Sequence, residues 1–573
     1  RAFNADKPYN KFIIEQLAGD ELWERQPEAK RDPELLVATS FLRMGPWDPA
    51  MTLAPQARQI YLDDVVNAVG QTFLSTTMRC FKCHDHKFDP LPTRDYYRVY
   101  AVFAGTQLAE RPAPFSKNEN LAKLKEGRTA TEHLHRYADK KYQALYRKQE
   151  DAARAWFAKR SKKYLDENAR KSLPDEEKPP RHVGLTPEEQ GRMKVRRQDE
   201  WIWKRRLERY QPMVQGVYNG STPKSLNARA MRMPKQRAKQ APSPGRILLG
   251  GALEAPGAEV GPGVLSATAV PVSHKSDDPY ALPERLRGRR LALAKWIADP
   301  ANPLTARSIV NRVWQHHFGQ PLAGNPNNFG AKGDKPTHPE LLDWLAADFV
   351  QHGWRFKRLH RLIMKSETYR QSGSHLQASE LAVVDPENHF FAYRIPRRLS
   401  AEELRDSLLK ATGELNPAIG GLPVMPEINM EVALQPRMIQ FSLSPAYQPS
   451  RTPAERNRRT IYAYRVRGQA NPFLETFNQP NPNDSCEARV AETVTPQVFT
   501  LLNSSVMSDR AIALALRAEK EFDTLHLQVK RAVQLAYGRV PDKVEWERLK
   551  QYVVKMRAYH ATHKPTPVKY PTA

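Results

Sequence analysis

Apolar residues recur at steps of three and four along much of this chain, which is the spacing of one face of an α-helix. Leu62, Val66, Val69 and Phe73 follow this rule and predict a helix that leads towards Cys80. Stretches in which apolar and polar residues alternate, as they do in strands, are few and short. The pattern therefore predicts a mainly α fold with minor β structure.

Residues 1–116 are predicted to form a small helical unit. Pro8 and Tyr9 open one helix, and a second helix begins near Asp95 and ends before Gly105. The chain starts within sequence of structured character, so we expect it to be part of a longer or processed protein.

Residues 117–210 are dense in Lys, Arg and Glu and carry a narrow apolar seam. The seam steps by three or four residues through Leu134, Ala138, Tyr142, Leu145, Gln149, Ala152 and Trp156. Such a seam is typical of a helical hairpin or coiled coil. With a second helix predicted through Trp201, Ile202 and Leu207, we interpret the segment as an inserted charged helical arm, either a spacer or a docking surface.

Residues 211–284 are rich in Pro and Gly, and we predict a linker with short strands at 247–251 and 264–265. Residues 285–573 are predicted to form a large, mostly helical C-terminal domain. Its predicted helix starts carry capping residues, which are Thr305, Thr337 with Glu340, and Ser400 with Glu403. Further predictions there are a strand over 460–466 and helices near 508–518 and 522–537.

The chain has 573 residues and a formal net charge of +26. Such a basic surface favours nucleic acid, anionic lipid, acidic polysaccharide or an acidic protein, unless the charge only solvates exposed helices. Arginines interleave with Tyr462 and Tyr464 at Arg451, Arg456, Arg458, Arg459, Arg465 and Arg467. No run of about 18 apolar residues indicates a membrane span.

The stretch Cys80-Phe81-Lys82-Cys83-His84 is a CxxCH motif, the attachment signature of c-type haem. Two thiols three residues apart bond to the haem vinyl groups, and the next histidine binds the iron as proximal ligand. The alternatives are half of a zinc site, which requires a further pair of ligands, and a redox dithiol at the start of a helix. No second CxxC occurs and Cys486 stands alone, so we favour one haem c.

Residues 80–90, followed by residues 94–97, are similar to the planctomycete cytochrome c-like domain of unknown function. Four later stretches resemble its usual C-terminal companion, another domain of unknown function, at 302–307, 311–319, 336–346 and 368–372. The resemblance covers residues 1–106 and 285–540, approximately. It implies an exported bacterial haem protein of the periplasm or cell envelope, and it supplies no reaction.

His84 is predicted to be the proximal ligand, whereas the distal ligand stays open. The distal candidates are His316, His317, His338, His360, Met44 and Met51. Methionine would raise the potential relative to histidine, and an empty position would permit ligand chemistry. Asp85, His86 and Asp89 could bind a cation, although we favour hydrogen bonds to haem propionates or to the turn backbone. We expect Cys486 to be a buried free thiol.

We expect an electron-transfer component that docks through its basic surface to an acidic redox protein. An anionic polysaccharide is a second candidate partner, whereas an exported protein is not expected to meet nucleic acid. One alternative function is a haem-dependent oxidoreductase acting on a small molecule or carbohydrate, and another is an assembly subunit with an incidental haem. No Ser-His-Asp order, phosphate-binding glycine loop or HExxH motif points to catalytic residues.

Overall fold

The structure, a computed structural model, describes most of the chain. The described residues are 1–46, 53–117, 119–221, 231, 233–234, 245–274, 277–428, 449–465, 470–482, 485–489 and 492–564. Their secondary structure is mostly helical with two small two-stranded sheets, so the prediction of a mainly α fold with minor β structure is confirmed. Among these residues, no helix has both the length and the apolar character needed to cross a membrane.

The helices run in the order α1 (Tyr9–Arg25), α2 (Pro33–Ala38), α3 (Ala54–Leu74), α4 (Thr93–Phe103), α5 (Leu124–Ala158), α6 (Glu167–Arg170), α7 (Pro187–Leu207), α8 (Arg289–Ile297), α9 (Thr305–Phe318), α10 (Pro339–Gln351), α11 (Phe356–Met364), α12 (Ala378–Val384), α13 (Ala401–Thr412), α14 (Pro453–Arg456), α15 (Pro472–Thr476), α16 (Thr495–Asn503), α17 (Ser505–Glu521), α18 (Leu525–Tyr537) and α19 (Lys543–Thr562). The strands are β1 (Thr106–Pro112), β2 (Met213–Asn219), β3 (Gly245–Leu248) and β4 (Pro256–Val260). Strand β1 pairs antiparallel with β2, and β3 pairs antiparallel with β4.

One hydrophobic core contains side chains from both ends of the chain. It includes the predicted face of α3, where Leu62, Val66, Val69 and Phe73 are all buried. Helices α1 and α4 contribute to the same cluster as α8, α9, α10 and α11. Because each buried aliphatic or aromatic side chain contributes about 1.5–3 kcal/mol, the two ends stabilise each other. The boundaries of the four predicted domains stay predictions.

A buried carboxylate joins the two ends at the centre of this core. Asp20 of α1 accepts two 2.7 Å hydrogen bonds from the Arg290 guanidinium at the start of α8. Arg111 of β1 lies 3.7 Å from the same carboxylate, and all three side chains are at most 2% exposed. Burial by itself lowers the pKa of Arg290, but the attraction of Asp20 outweighs it and raises that pKa above its usual value. The Arg290 guanidinium is therefore charged inside the fold.

The carboxyl end of α4 is held by arginines from two distant parts of the chain. Arg58 of α3 donates to the carbonyl of Ala104 at 3.0 Å, and Arg289 of α8 donates to that of Ala101 at 3.1 Å. The end of a helix leaves carbonyls unpaired and carries partial negative charge, so cations stabilise it. These contacts fix α4 beside α3 and α8.

Helices α5 and α7 form an antiparallel pair. His135 contacts Glu200 at 3.1 Å, and Lys148 contacts Glu189 at 2.6 Å, so residue numbers rise along one helix as they fall along the other. Along the predicted seam, Ala138 is buried together with Gln149, and the remaining seam residues are half-buried. Residues 117–210 thus contain a helical hairpin built on that seam.

Of the three capping predictions, only the one at Ser400 is confirmed, and there the two capping residues bond to each other. Ser400 and Glu403 form the predicted capping box on α13, with reciprocal bonds of 3.3 and 2.9 Å. The other two predicted caps are wrong. The hydroxyl of Thr305 donates instead to Ile297 at 2.6 Å, and the hydroxyl of Thr337 donates to Leu322 at 3.3 Å. Both hydroxyls therefore donate to carbonyls of preceding segments and do not cap their own helices.

The predicted strand at 460–466 is also wrong. Thr460–Tyr462 form a 3₁₀ turn, and Val466 lies outside the described residues. The turn is set by Asp406, which accepts from both the backbone N–H and the hydroxyl of Thr460 at 2.7 Å. Near residues 264–265, the structure contains an isolated bridge between Gly263 and Ala281 rather than a strand.

We expect Asp20→Asn to lower the free energy of unfolding by about 3 kcal/mol, because Arg290 loses the carboxylate that accepts two of its hydrogen bonds. Glu24 stays 3.3 Å from Arg111 and Glu21 stays 3.9 Å from Arg290, so part of the counter-charge remains. Denaturant titration followed by circular dichroism measures the change. Asp175→Asn is the matched control, since the Asp175 side chain is 94% exposed beside Lys178. The control should keep the wild-type midpoint, and equal midpoints for both variants would contradict the role of the buried cluster.

Candidate functional site

The CxxCH motif follows α3 on a short 3₁₀ helix, Met78–Phe81. Met78 and Phe81 are 1% and 0% exposed, and they anchor the turn in the core. Side chains three residues apart lie above one another on a 3₁₀ helix. Cys80 lies in this helix and Cys83 lies two residues past its end, and both cysteines are exposed. The turn therefore buries one pair of residues and presents both thiols outward.

His84 is exposed and has a defined hydrogen bond. Its Nδ1 lies 2.7 Å from the carbonyl oxygen of Asp85. Because a carbonyl can only accept, this hydrogen bond requires Nδ1 as the donor. Histidines that bind metals commonly donate their second ring N–H to a carbonyl in this way, which fixes the ring and its tautomer. The arrangement leaves Nε2 as the ring nitrogen that could bind a metal.

A half-buried carboxylate contacts the middle of the motif. Asp63 of α3 forms an ion pair with Lys82 and accepts a 2.5 Å hydrogen bond from the Tyr96 hydroxyl. Burial and the Asp63 charge raise the pKa of Tyr96, so the phenol stays protonated and donates. The Tyr96 ring also meets the Phe81 ring edge-on, with centroids 6.2 Å apart. These contacts fix the backbone between the two cysteines.

The β3–β4 hairpin brings its turn against Cys83. Gly251 has φ +76°, and a Cβ there would lie 2.9 Å from Cys83 Sγ and 3.1 Å from Lys82 Cε. Gln59 of α3 donates to the Gly251 carbonyl at 2.9 Å. Glycine is required both by the left-handed backbone and by the close approach. The sequence indicated short extended structure here but not a role at the motif.

The acidic and histidine residues that follow the motif organise a turn. The Thr93 N–H donates to Asp85 at 2.8 Å, and the Asp89 N–H donates to His86 Nδ1 at 2.9 Å. Asp89 in turn accepts from the Ala331 N–H at 2.7 Å. In the described part of the chain, no group of three or more His, Cys, Asp or Glu side chains is arranged to hold a metal ion. Asp85, His86 and Asp89 thus form the hydrogen bonds to the turn backbone that we favoured from the sequence.

Residues 485–489 lie beside the motif, and the prediction that Cys486 is buried is wrong, because its thiol is exposed. Ser485 donates to Asp64 of α3 at 2.8 Å. Glu487 accepts from Asn67 at 3.0 Å and from Arg79, next to Cys80, at 3.1 Å. Ser485 and Glu487, on either side of Cys486, therefore form the contacts with α3, and the Cys486 thiol stays exposed to solvent.

The distal candidates have partners of their own or lie at the surface. His317 Nε2 lies 2.8 Å from His360 Nδ1. The His338 ring packs 5.8 Å from the Phe391 ring. His316 is exposed, Met44 is 74% exposed, and Met51 lies outside the described residues. The identity of the distal ligand stays open.

The arginine cluster near Tyr462 is partly structural. Arg458 is 7% exposed and donates to the carbonyls of Leu422 and Ala418 at 2.9 and 3.0 Å. Arg459 lies 3.4 Å from Asp406. Arg467 is outside the described residues. These contacts make the cluster a weaker candidate for a docking surface than its sequence suggests.

Residues 1–108 match the family model PSCyt2, described as a protein of unknown function (DUF1549). Residues 289–553 match the model PSD1, also described as a protein of unknown function (DUF1553). The two matches confirm the predicted pairing of two domains of unknown function, and the CxxCH motif lies within the first. No curated protein and no solved structure matches the chain.

Gly251→Ala should destabilise the protein more than Gly250→Ala. Both positions have positive φ, but a Cβ on Gly250 would meet nothing within 4 Å. We expect Gly250→Ala to cost about 1–2 kcal/mol through backbone strain alone. Gly251→Ala should cost about 0.5–1.5 kcal/mol more, because the Cys83 and Lys82 side chains must move aside for the new Cβ. Denaturant midpoints measure both, and equal losses would show that the turn does not press on the motif.

We expect the His317–His360 pair to make the fold sensitive to acid. Burial, helped by His360, Arg394 and His316, lowers the pKa of His317 from 6.5 to about 4. The unfolded chain therefore binds more protons between these values, and stability present above pH 6.5 is lost towards pH 4.

His317→Gln cannot be protonated at this position, so its denaturation midpoint should fall less than that of the wild type between pH 7 and pH 4. His133→Gln, at an exposed histidine of α5, is the control and should keep the wild-type slope. If the midpoint falls equally with pH in all three proteins, His317 is not the cause of the acid sensitivity.

Proposed function

We propose that this chain is an exported electron carrier with one haem c, bonded through Cys80 and Cys83 and held by His84 as proximal iron ligand. The observation that carries the proposal is the hydrogen bond from His84 Nδ1 to the Asp85 carbonyl, which leaves Nε2 free to bind iron. Haem c would supply a one-electron couple at this site.

The surroundings of the motif fit such a group. Both thiols are exposed, so they are accessible for thioether formation. Leu249 of the β3–β4 turn is 62% exposed, and Ile60 of α3, next to Gln59, is 48% exposed. Exposed apolar side chains gain free energy when another apolar surface covers them. A porphyrin attached at the neighbouring cysteines provides such a surface.

The exposed position of the motif favours electron transfer to another protein over chemistry in an enclosed pocket. The motif and its flanks carry exposed cationic side chains, namely Arg79, Lys87 and Arg94, of which Arg79 is paired with Glu487 and Arg94 with Asp278. With a net charge of +26, the protein attracts acidic partners over long distances. Covalent haem attachment takes place outside the cytoplasm, so the proposal includes a periplasmic or envelope location.

Expression in a bacterial host that attaches haem c in its periplasm tests the proposal. We expect the purified protein to show a c-type pyridine haemochrome and a low-spin spectrum in both oxidation states. Cys80→Ser/Cys83→Ser should abolish covalent haem, because no thioether can form. His84→Ala should remove the low-spin spectrum or the haem itself.

Cys486→Ser is the matched thiol control, and it should keep the full haem content. Absence of haem from the wild type would overturn the proposal. A high-spin spectrum that shifts with cyanide or carbon monoxide would replace the electron carrier with a haem enzyme. Haem retained without either Cys80 or Cys83 would place the attachment elsewhere.

A further inference from the structure

Phe88 is an exposed aromatic side chain between two lysines from distant parts of the chain. Its side chain is 49% exposed, four residues after His84. The ammonium groups of Lys87 and Lys332 lie 5.4 and 4.5 Å from its ring centroid. Cations over an aromatic face are attracted to it, so both lysines are held close to the ring. An apolar ring and two positive charges thus occupy one small surface, termed the Phe88 patch.

The backbone under the Phe88 patch is held in place. His86 Nδ1 accepts from the backbone N–H groups of Phe88 and Asp89 at 3.3 and 2.9 Å. Asp89 accepts from the Ala331 N–H at 2.7 Å, which ties the turn to the loop that carries Lys332. A Cβ on Gly330 would overlap with the Asp89 carboxylate, so the two loops are in close contact. A preorganised surface loses little entropy on binding.

Three acids lie on the loops of the Phe88 patch, and two of them bind backbone N–H groups. Asp89 accepts from the Ala331 N–H, and Asp85 accepts from the Thr93 N–H. Asp334, on the loop of Lys332, packs against Gly324. The two lysine ammonium groups lie nearest the Phe88 ring, and Lys335 on the same loop is exposed and adds a third positive charge.

We infer that the Phe88 patch docks the acidic surface of a redox partner protein. The inference rests on the proposed function and assigns the partner contact to one surface of the chain. Aromatic anchors in a charged rim are the usual centres of binding energy at protein interfaces. Opposite charge steers the encounter, and the proximity of His84 brings the partner close to the iron.

A plant-type [2Fe–2S] ferredoxin, a small acidic electron donor, serves as the probe. Stopped-flow absorbance measures its reduction of the haem protein as a function of ionic strength. We expect Lys87→Gln/Lys332→Gln to lower the second-order rate constant at low salt about tenfold and to flatten its salt dependence. Phe88→Ala should lower the rate similarly through loss of the anchor, with the haem spectrum unchanged.

Lys125→Gln/Lys140→Gln is the matched control, because it removes the same charge from exposed positions on the α5–α7 hairpin. Its rate constant should stay within a factor of two of the wild type. Equal losses in both double variants would reduce the effect to net charge and overturn the inference. A changed haem spectrum in Phe88→Ala would also overturn it, since the ring would then contact haem.

Ferredoxin binding measured by calorimetry on the same proteins needs no haem. If the wild type carries no haem, the proposed function fails. Loss of ferredoxin binding in Lys87→Gln/Lys332→Gln would then still support the Phe88 patch. Unchanged ferredoxin binding together with lost heparin binding would assign the patch to an anionic polysaccharide and overturn the inference.

Discussion

The structure depends on one buried carboxylate with two arginines. Asp20 is the shared counter-charge of Arg290, which opens α8, and of Arg111 in β1. Separating Asp20 from Arg290 would break two buried, charge-assisted hydrogen bonds, which is far more costly than losing a surface ion pair. Glu24 lies 3.3 Å from Arg111 and Glu21 lies 3.9 Å from Arg290, so further carboxylates of α1 complete the cluster. The cluster therefore ties the first helix to the start of the C-terminal half within one core.

The surroundings of the CxxCH motif also come from segments that lie far apart in the chain. Asp63 beneath it belongs to α3, Gly251 against Cys83 belongs to the β3–β4 turn, and Glu487 beside Arg79 belongs to a late loop. The CxxCH motif thus acquires a defined backbone although both of its cysteines stay exposed. The polar contacts lie below and beside the motif, so the thiols stay accessible while the turn itself is rigid.

The features that could be predicted from sequence are those that depend on neighbours within one turn or one helix. The buried face of α3 follows from periodicity, and the Ser400 capping box follows from residues three apart. Thr305 has equally good local capping chemistry, but its hydroxyl is taken by Ile297. The exposure of Cys486 and the closeness of Gly251 to Cys83 depend on tertiary contacts, for which a single sequence carries no periodic signal.

Different segments build the two sides of the candidate site, and this has a functional implication. The apolar residue Leu249 and the Gly251 turn come from the β3–β4 hairpin, whereas Lys332 comes from the loop after α9. Changes in the hairpin can therefore alter what is bound at the cysteines without altering the charge around Phe88, and the reverse also holds. The two sides are not fully independent, because the His86 ring contacts both Phe81 of the motif and Phe88. Under the proposed function, the hairpin acts on cofactor retention through Cys83, the Lys332 loop acts on partner choice through Phe88, and His86 couples the two.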